Sequence, residues 1–265
     1  MADRQVNVLV CVKRVPDVSG EVLLTEDGQQ VDARHVGFTL SEHESCAVEL
    51  AVQVATAGQG QVTVMSVGSP ESVEQIRTAL GTGCSAAVLV ETDPASLGPA
   101  DVAHEIAEVI RDHEARGPIH DSGGYDLVLL GNDAADSGDF QVPVRLAHEL
   151  GRPVVTGIQA ISVADGVGHL RGEGPDGTET YEVPLPAVVS VMEGGVEPRY
   201  PTISGRMKAK KVEIETRSAT REPVGSGRLR MTLPPPAHST AQVLGEGPGA
   251  AVAVVDLLHD LGVAR

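Results

Sequence analysis

Asp126-Leu127-Val128-Leu129-Leu130-Gly131-Asn132 decides the fold. Four consecutive aliphatic residues, closed by a turn-forming Gly-Asn pair, have no alternation and are too few for a helix. Such a run is a strand buried on both faces, the kind found in parallel sheets. Residues 6–12 form another apolar run, and Lys13-Arg14-Val15-Pro16-Asp17 ends it because Pro16 has no N–H for a ladder. Residues 61–67 and 86–90 read as further strands, and Val154-Val155 starts another.

Between these strands lie helical patterns. Residues 41–57 have helical spacing, with Ser41 as N-cap and Glu44 three residues on. Ser69-Pro70 opens a helix that Gly81 and Gly83 close. Residues 99–113 place Val102, Ala103, Ile106, Val109 and Ile110 on one face, and residues 141–150 make the next helix. Strands alternating with helices predict an α/β fold with a mostly parallel sheet. Ligands of such sheets sit at the carboxyl ends of strands, beside a topological switch point. Residues 11–16, 66–70 and 131–141 fit that description.

The pattern changes further along. Thr25-Glu26-Asp27-Gly28 is a hairpin turn, and residues 158–191 read as an antiparallel segment broken by Gly- and Asp-rich turns. Residues 212–216 alternate like an edge strand. Residues 217–249 are rich in Pro, Gly, Ser and Arg, and residues 250–261 are apolar and helix-like. The expected organisation is an α/β domain over 1–216 and an extended arm with a helix over 217–265.

Composition narrows the function. The chain of 265 residues carries a formal charge of −17, so nucleic acid and anionic lipid are poor partners. Aromatic residues make up 2% of it, so a planar cofactor would be held by aliphatic packing and main-chain hydrogen bonds. Cys11, Cys46 and Cys84 have no paired or metal-like spacing, which fits free thiols in a reducing cytoplasm. The start lacks a signal-peptide core, and no stretch has the length to span a membrane. Asp121-Ser122-Gly123-Gly124 imitates a serine-protease motif without the β-barrel context. His104-Glu105 and His148-Glu149 lack the second histidine of a zinc helix and read as solvated helix pairs. No glycine-rich phosphate signature or catalytic constellation stands out.

Gly131-Asn132-Asp133-Ala134-Ala135-Asp136-Ser137-Gly138-Asp139-Phe140-Gln141-Val142 is the exception. It joins a buried strand to a helix and combines small residues with turn formers. Free N–H groups at a helix start favour phosphate. The plainer reading is an ordinary loop with Asp139 as N-cap, and Asp136 and Asp139 oppose an anion unless they turn away.

Several segments, in order along nearly the whole chain, resemble the electron-transfer flavoprotein beta family. They are Lys13-Arg14-Val15-Pro16-Asp17, Ala47-Val48-Glu49-Leu50-Ala51, Ser66-Val67-Gly68 and Ile76-Arg77-Thr78-Ala79-Leu80-Gly81. The 131–142 loop, Leu185-Pro186-Ala187-Val188-Val189, Glu197-Pro198-Arg199-Tyr200-Pro201 and Met207-Lys208-Ala209-Lys210-Lys211 complete the set. The resemblance implies an adenine-nucleotide alpha-hydrolase-like (Rossmann-like) fold and a non-catalytic electron carrier. It implies an alpha subunit partner sharing a redox FAD, and AMP in this chain, or a second FAD in a bifurcating member. A nucleotide-hydrolysing enzyme of the same superfold is the remaining alternative. A flavin dehydrogenase would be the electron donor, and a quinone oxidoreductase is one example of an acceptor.

By the resemblance, nucleotide contacts fall on Cys11, Ser41, Glu42, His43, Glu44, Val67 and residues 131–142. This chain departs from the family at Ser41-Glu42 and Glu44-Ser45, where Asn-Pro and an acidic pair are usual. It departs again at Phe140 and Val142, and at Val18, where an aromatic is common. The loop for partner recognition falls on Glu193, Gly194, Gly195 and Val196. Family members that serve acyl-CoA dehydrogenases carry a leucine anchor there, worth roughly 2 kcal/mol or more. Its absence implies a different redox partner.

Overall fold

The computed structural model describes residues 5–17, 22–32, 34, 36–116, 124–235 and 242–263. In chain order the first elements are β1 (Val8–Cys11), β2 (Val15–Pro16), β3 (Phe38–Thr39) and α1 (Glu42–Ala57). Next come β4 (Val62–Gly68), α2 (Val73–Thr82), β5 (Ala86–Glu91), α3 (Pro99–Ala115), β6 (Leu127–Gly131) and α4 (Val142–Leu150). The remainder are β7 (Val154–Ala164), β8 (Val167–Gly174), β9 (Gly177–Pro184), β10 (Ala187–Val191), α5 (Ile203–Ala209), β11 (Ile214–Ser218) and α6 (Ala251–Asp260).

Nine strands form one sheet in the order β11-β5-β4-β1-β6-β10-β7-β8-β9. Every pairing from β11 to β7 is parallel, and β7-β8-β9 is antiparallel. Strand β1 sits in the middle because its four residues are buried on both faces. Val8 and Val10 point into the layer made with α1 and α2, whereas Leu9 and Cys11 point into the layer made with α3 and α4. Burying one such aliphatic side chain contributes about 1.5–3 kcal/mol. The helices cover both faces, as an all-parallel sheet requires.

The chain divides into two compact units, residues 1–231 and 232–265. The expected boundary stood at 216, and the compact units divide at 231. Strand β11 pairs with β5 from Ile214 to Ser218, and the Gly-rich residues after it are held by carboxylates of α3. The antiparallel segment also differs from the expected 158–191. Strand β7 begins beside β10 in the parallel sheet before entering the hairpin, and β10 itself is parallel to β6. In the second unit a 3-10 turn (Gly247–Ala250) leads into α6, none of whose residues is buried.

Candidate functional site

Strands β4 and β6 flank β1, because the chain runs outward from β1 through β4 to β5 and then crosses back to β6 on the other side. Their carboxyl ends therefore splay around a crevice. A cleft of about 280 Å³ lies there, floored by Cys11, Met65, Ser66, Val67, Leu130 and Gly131. Of the residues expected at the nucleotide, Cys11, Glu44, Val67, Gly131, Asn132, Asp133, Ala134, Asp136, Ser137, Asp139, Phe140, Gln141 and Val142 line it. Ser41, Glu42, His43, Ala135 and Gly138 do not.

Ser41 has a different task. Its hydroxyl accepts the Glu44 N–H at 3.2 Å, and Glu44 Oε2 accepts the Ser41 N–H at 3.0 Å, a reciprocal capping box. The other Glu44 oxygen accepts the Lys13 N–H at 2.7 Å, tying the start of α1 to the end of β1. Glu44 is 5% exposed. Burial pushes its carboxyl up to about 7, against the pull of bonds from Ser41 and Lys13. The same burial raises the Cys11 thiol, with the Glu44 charge adding to it.

The 131–142 loop is fixed by its own backbone. Asn132 donates its N–H to the Val191 carbonyl, and its side-chain oxygen accepts the Ser190 hydroxyl at 2.7 Å and the Gly157 N–H at 3.1 Å. Asp136 turns to Lys13, 2.7 Å from Nζ, so this acid is neutralised within the cleft wall. Asp139 is not the N-cap of α4. That position is Gln141, which makes no side-chain cap, and Pro143 follows in the first turn. The helix start, Gln141 to Pro143, therefore lines the cleft with no side-chain cap, and Phe140, at φ 54°, stands half exposed beside it. Ser66 Oγ is buried against the cleft with no hydrogen-bond partner. A buried hydroxyl left without a partner costs about 1–3 kcal/mol, so the atom suits a polar ligand group. Aliphatic floor, uncapped helix start and orphan hydroxyl together fit an adenine nucleotide.

Glu193, Gly194, Gly195 and Val196 lie outside the cleft but are connected to it. The His43 ring meets Asp133 at Nδ1, 2.6 Å away, and Glu193 at Nε2. The Glu193 carbonyl accepts the Gln159 amide at 3.1 Å, and the Cys46 thiol donates to the Val196 carbonyl. Gly195 packs so closely that a Cβ would stand 2.1 Å from the Gln159 carbonyl oxygen. Just beyond, Arg199 forks onto the buried Glu49 at 2.6 and 2.7 Å. That hydrogen-bonded guanidinium holds the Glu49 carboxyl below its ordinary range.

Some cleft residues escaped the sequence. Pro94 and Leu97 come from the 3-10 turn before α3, Val102 from the first turn of α3, and Gln29, Gln30, Ser226, Arg228 and Met231 from irregular segments without a periodic signal. Glu105 is not solvated as expected but buried at 3% exposure, where it holds Thr220. His104 pairs with Glu149 at 2.9 Å, and Arg111 donates to Glu108 and Glu149 around the same point. Cys11, Cys46 and Cys84 are free and buried. Val18 and Asp121-Ser122-Gly123 lie outside the described residues.

The parallel sheet, its two helical layers and the crevice at β1 define a Rossmann-like α/β protein. The family model for the electron transfer flavoprotein domain matches residues 30–222. The chain is 36% identical over 230 residues to the electron transfer flavoprotein subunit beta of Syntrophomonas wolfei, covering 86% of each. It is 37% identical over 213 residues to the subunit of that name from Mycobacterium leprae, covering 78% of this chain and 77% of that one. Against the subunit beta of Megasphaera elsdenii it is 28% identical over 271 residues, covering 97% and 98%. The chain belongs to the electron transfer flavoprotein family, among its beta subunits.

Proposed function

We propose that this chain is the beta half of a heterodimeric electron carrier, with AMP in its cleft and a redox FAD held mainly by an alpha subunit. The observation that carries this reading is the gathering of 13 expected nucleotide residues into one crevice at the carboxyl ends of β1, β4 and β6. A bound flavin supplies electron transfer, and the chain's own contribution is position and electrostatics. Cys11, Val67 and Val142 offer aliphatic or thiol surface to a base, while the start of α4 offers N–H groups to a phosphate. Lys13 keeps Asp136 from repelling that phosphate. No residue pair in this arrangement is asked to make or break a bond.

Two surfaces follow from the same reading. Residues 193–196 face the redox partner, a flavin dehydrogenase other than the fatty-acid enzymes, and a quinone oxidoreductase is the kind of acceptor downstream. Residues 232–265 reach for the alpha subunit, offering the apolar residues of α6. No described helix is long and apolar enough to cross a membrane.

The test is to co-express the chain with its alpha subunit and count nucleotides released on denaturation. One FAD and one AMP per heterodimer is the expected result. Two FAD and no AMP would assign the cleft to a second flavin, as in bifurcating carriers. No nucleotide in the cleft would end the reading.

A further inference from the structure

We propose that Arg228 is a nucleotide-binding residue for the ligand's phosphate, carried across the cleft on a strap of residues 219–231 pinned at both ends. The proposal rests on reading the cleft as a nucleotide site.

The first pin is made by α3. Asp101, 2% exposed, accepts the N–H groups of Gly98, Val224 and Gly225 at 3.0, 2.9 and 2.8 Å. Glu105, 3% exposed, accepts the Thr220 N–H at 3.0 Å and the Thr220 hydroxyl at 2.9 Å. Burial pushes the Asp101 carboxyl up, but those three backbone N–H groups outweigh it and leave the acid below its ordinary range. The strap presses so close that a Cβ on Gly98 would stand 2.2 Å from the Gly225 carbonyl oxygen. The second pin is at the cleft itself, where Gln29 and Met231 are part of the lining. Met231 donates its N–H to the Gly28 carbonyl at 2.7 Å, and Gln29 donates its amide to the Leu229 carbonyl at 2.5 Å.

Burying two carboxylates is unfavourable unless their oxygens are fully bonded. Here those oxygens mostly take up strap backbone, so the fold fixes the course of an otherwise irregular segment. Between the pins the strap turns Ser226 and Arg228 onto the cleft, which Arg230 does not line.

The cations of the cleft are not equivalent. Lys13 is committed to Asp136, and the Arg14 guanidinium lies 3.3 Å above the Phe38 ring. Among the described residues the Arg228 side chain hydrogen-bonds to the Met231 sulfur alone, at 3.8 Å, and no carboxylate lies within ion-pair reach of it. Other described arginines, Arg145 and Arg230 among them, also have no ion pair, so it is the place of Arg228 on the cleft wall that marks it. Its planar set of donors matches a phosphate. A surface arginine turned to water is the ordinary alternative, and Arg230, two residues on, serves as its internal control.

The test follows the exchange of bound AMP for labelled AMP in the intact heterodimer. Arg228→Gln is expected to speed exchange roughly tenfold or more, the size of one charge-assisted hydrogen bond. Arg228→Lys recovers part of the slow exchange, because the charge stays while the fork is lost. Arg230→Gln exchanges at the wild-type rate. Asp101→Asn, which loosens the first pin, also accelerates exchange. Wild-type exchange in Arg228→Gln would overturn the proposal, as would equal acceleration by Arg230→Gln. A wild-type complex holding neither AMP nor FAD in the cleft would instead refute the site itself, before any variant is compared.

Discussion

Replacing Glu44 by Gln should make the stability gap between wild type and variant depend on pH. Glu44 is buried, and its carboxyl titrates near 7 in the folded chain instead of at the ordinary 4.5. Between those values the folded state holds a proton that the unfolded state has released. The unfolded state binds fewer protons there, so wild-type stability falls as pH rises through that window. From pH 5 to 7.5 the loss from this one group is on the order of 2 kcal/mol. A glutamine side chain does not titrate, so the variant lacks that slope. It has a fixed defect instead, because the amide nitrogen cannot accept one of the Lys13 and Ser41 N–H groups that the carboxylate takes. The variant should be clearly weaker than wild type at pH 5, and the gap should narrow or reverse by pH 7.5. Urea titrations of both proteins at the two pH values measure this. With m of about 2 kcal/mol/M, the difference between midpoints should move by about 1 M. An unchanged difference would mean that Glu44 keeps one protonation state throughout, and the argument from burial would be wrong.

Gly195→Leu should not restore docking of acyl-CoA dehydrogenases. A side chain there meets the Gln159 carbonyl, so melting temperature should fall and flavin reduction by those enzymes should stay slow. Rapid reduction would show that the loop accepts the anchor. Arg199→Met should cost about 1 kcal/mol at neutral pH, a value discounted for the half-exposed guanidinium. Because Arg199 lowers the Glu49 carboxyl, that cost should be present above the ordinary carboxylate range and fade as pH drops below it, which urea midpoints at pH 7 and 3.5 would reveal. Leu129→Ala, in the centre of β6 with no exposed surface, should cost about 2–5 kcal/mol by the same assay.

The sheet was legible because its central strands are buried on both faces and so read as plain aliphatic runs. The cleft was legible at β1, β4 and β6 because strand ends of a parallel sheet converge by topology. Capping at Ser41 and Glu44 could be read from spacing alone. Asp139 misled because Asp is a good cap in general, yet the chain reaches α4 through Phe140 in a left-handed turn that moves the start to Gln141. Residues 217–231 read as loose because they lack apolar periodicity. Their order comes from carboxylates of a distant helix, and a bond between a side chain and a remote backbone N–H leaves no periodic trace. Arg228 was hidden for the same reason. The family resemblance placed Glu42 and His43 at the nucleotide, but the capping box turns Glu44 into the cleft and leaves His43 between Asp133 and Glu193.

The bond from the Lys13 N–H to Glu44 closes residues 14–43 at their base. Everything between, including the small β2-β3 pair, is an excursion whose two ends are stapled together at the edge of the cleft. Closure entropy grows only slowly with loop length, so doubling the excursion would cost only about 0.6 kcal/mol. This lets the excursion accept a short insertion away from Gly28 and Gln29, which hold residues 229 and 231, while the parallel sheet keeps its register.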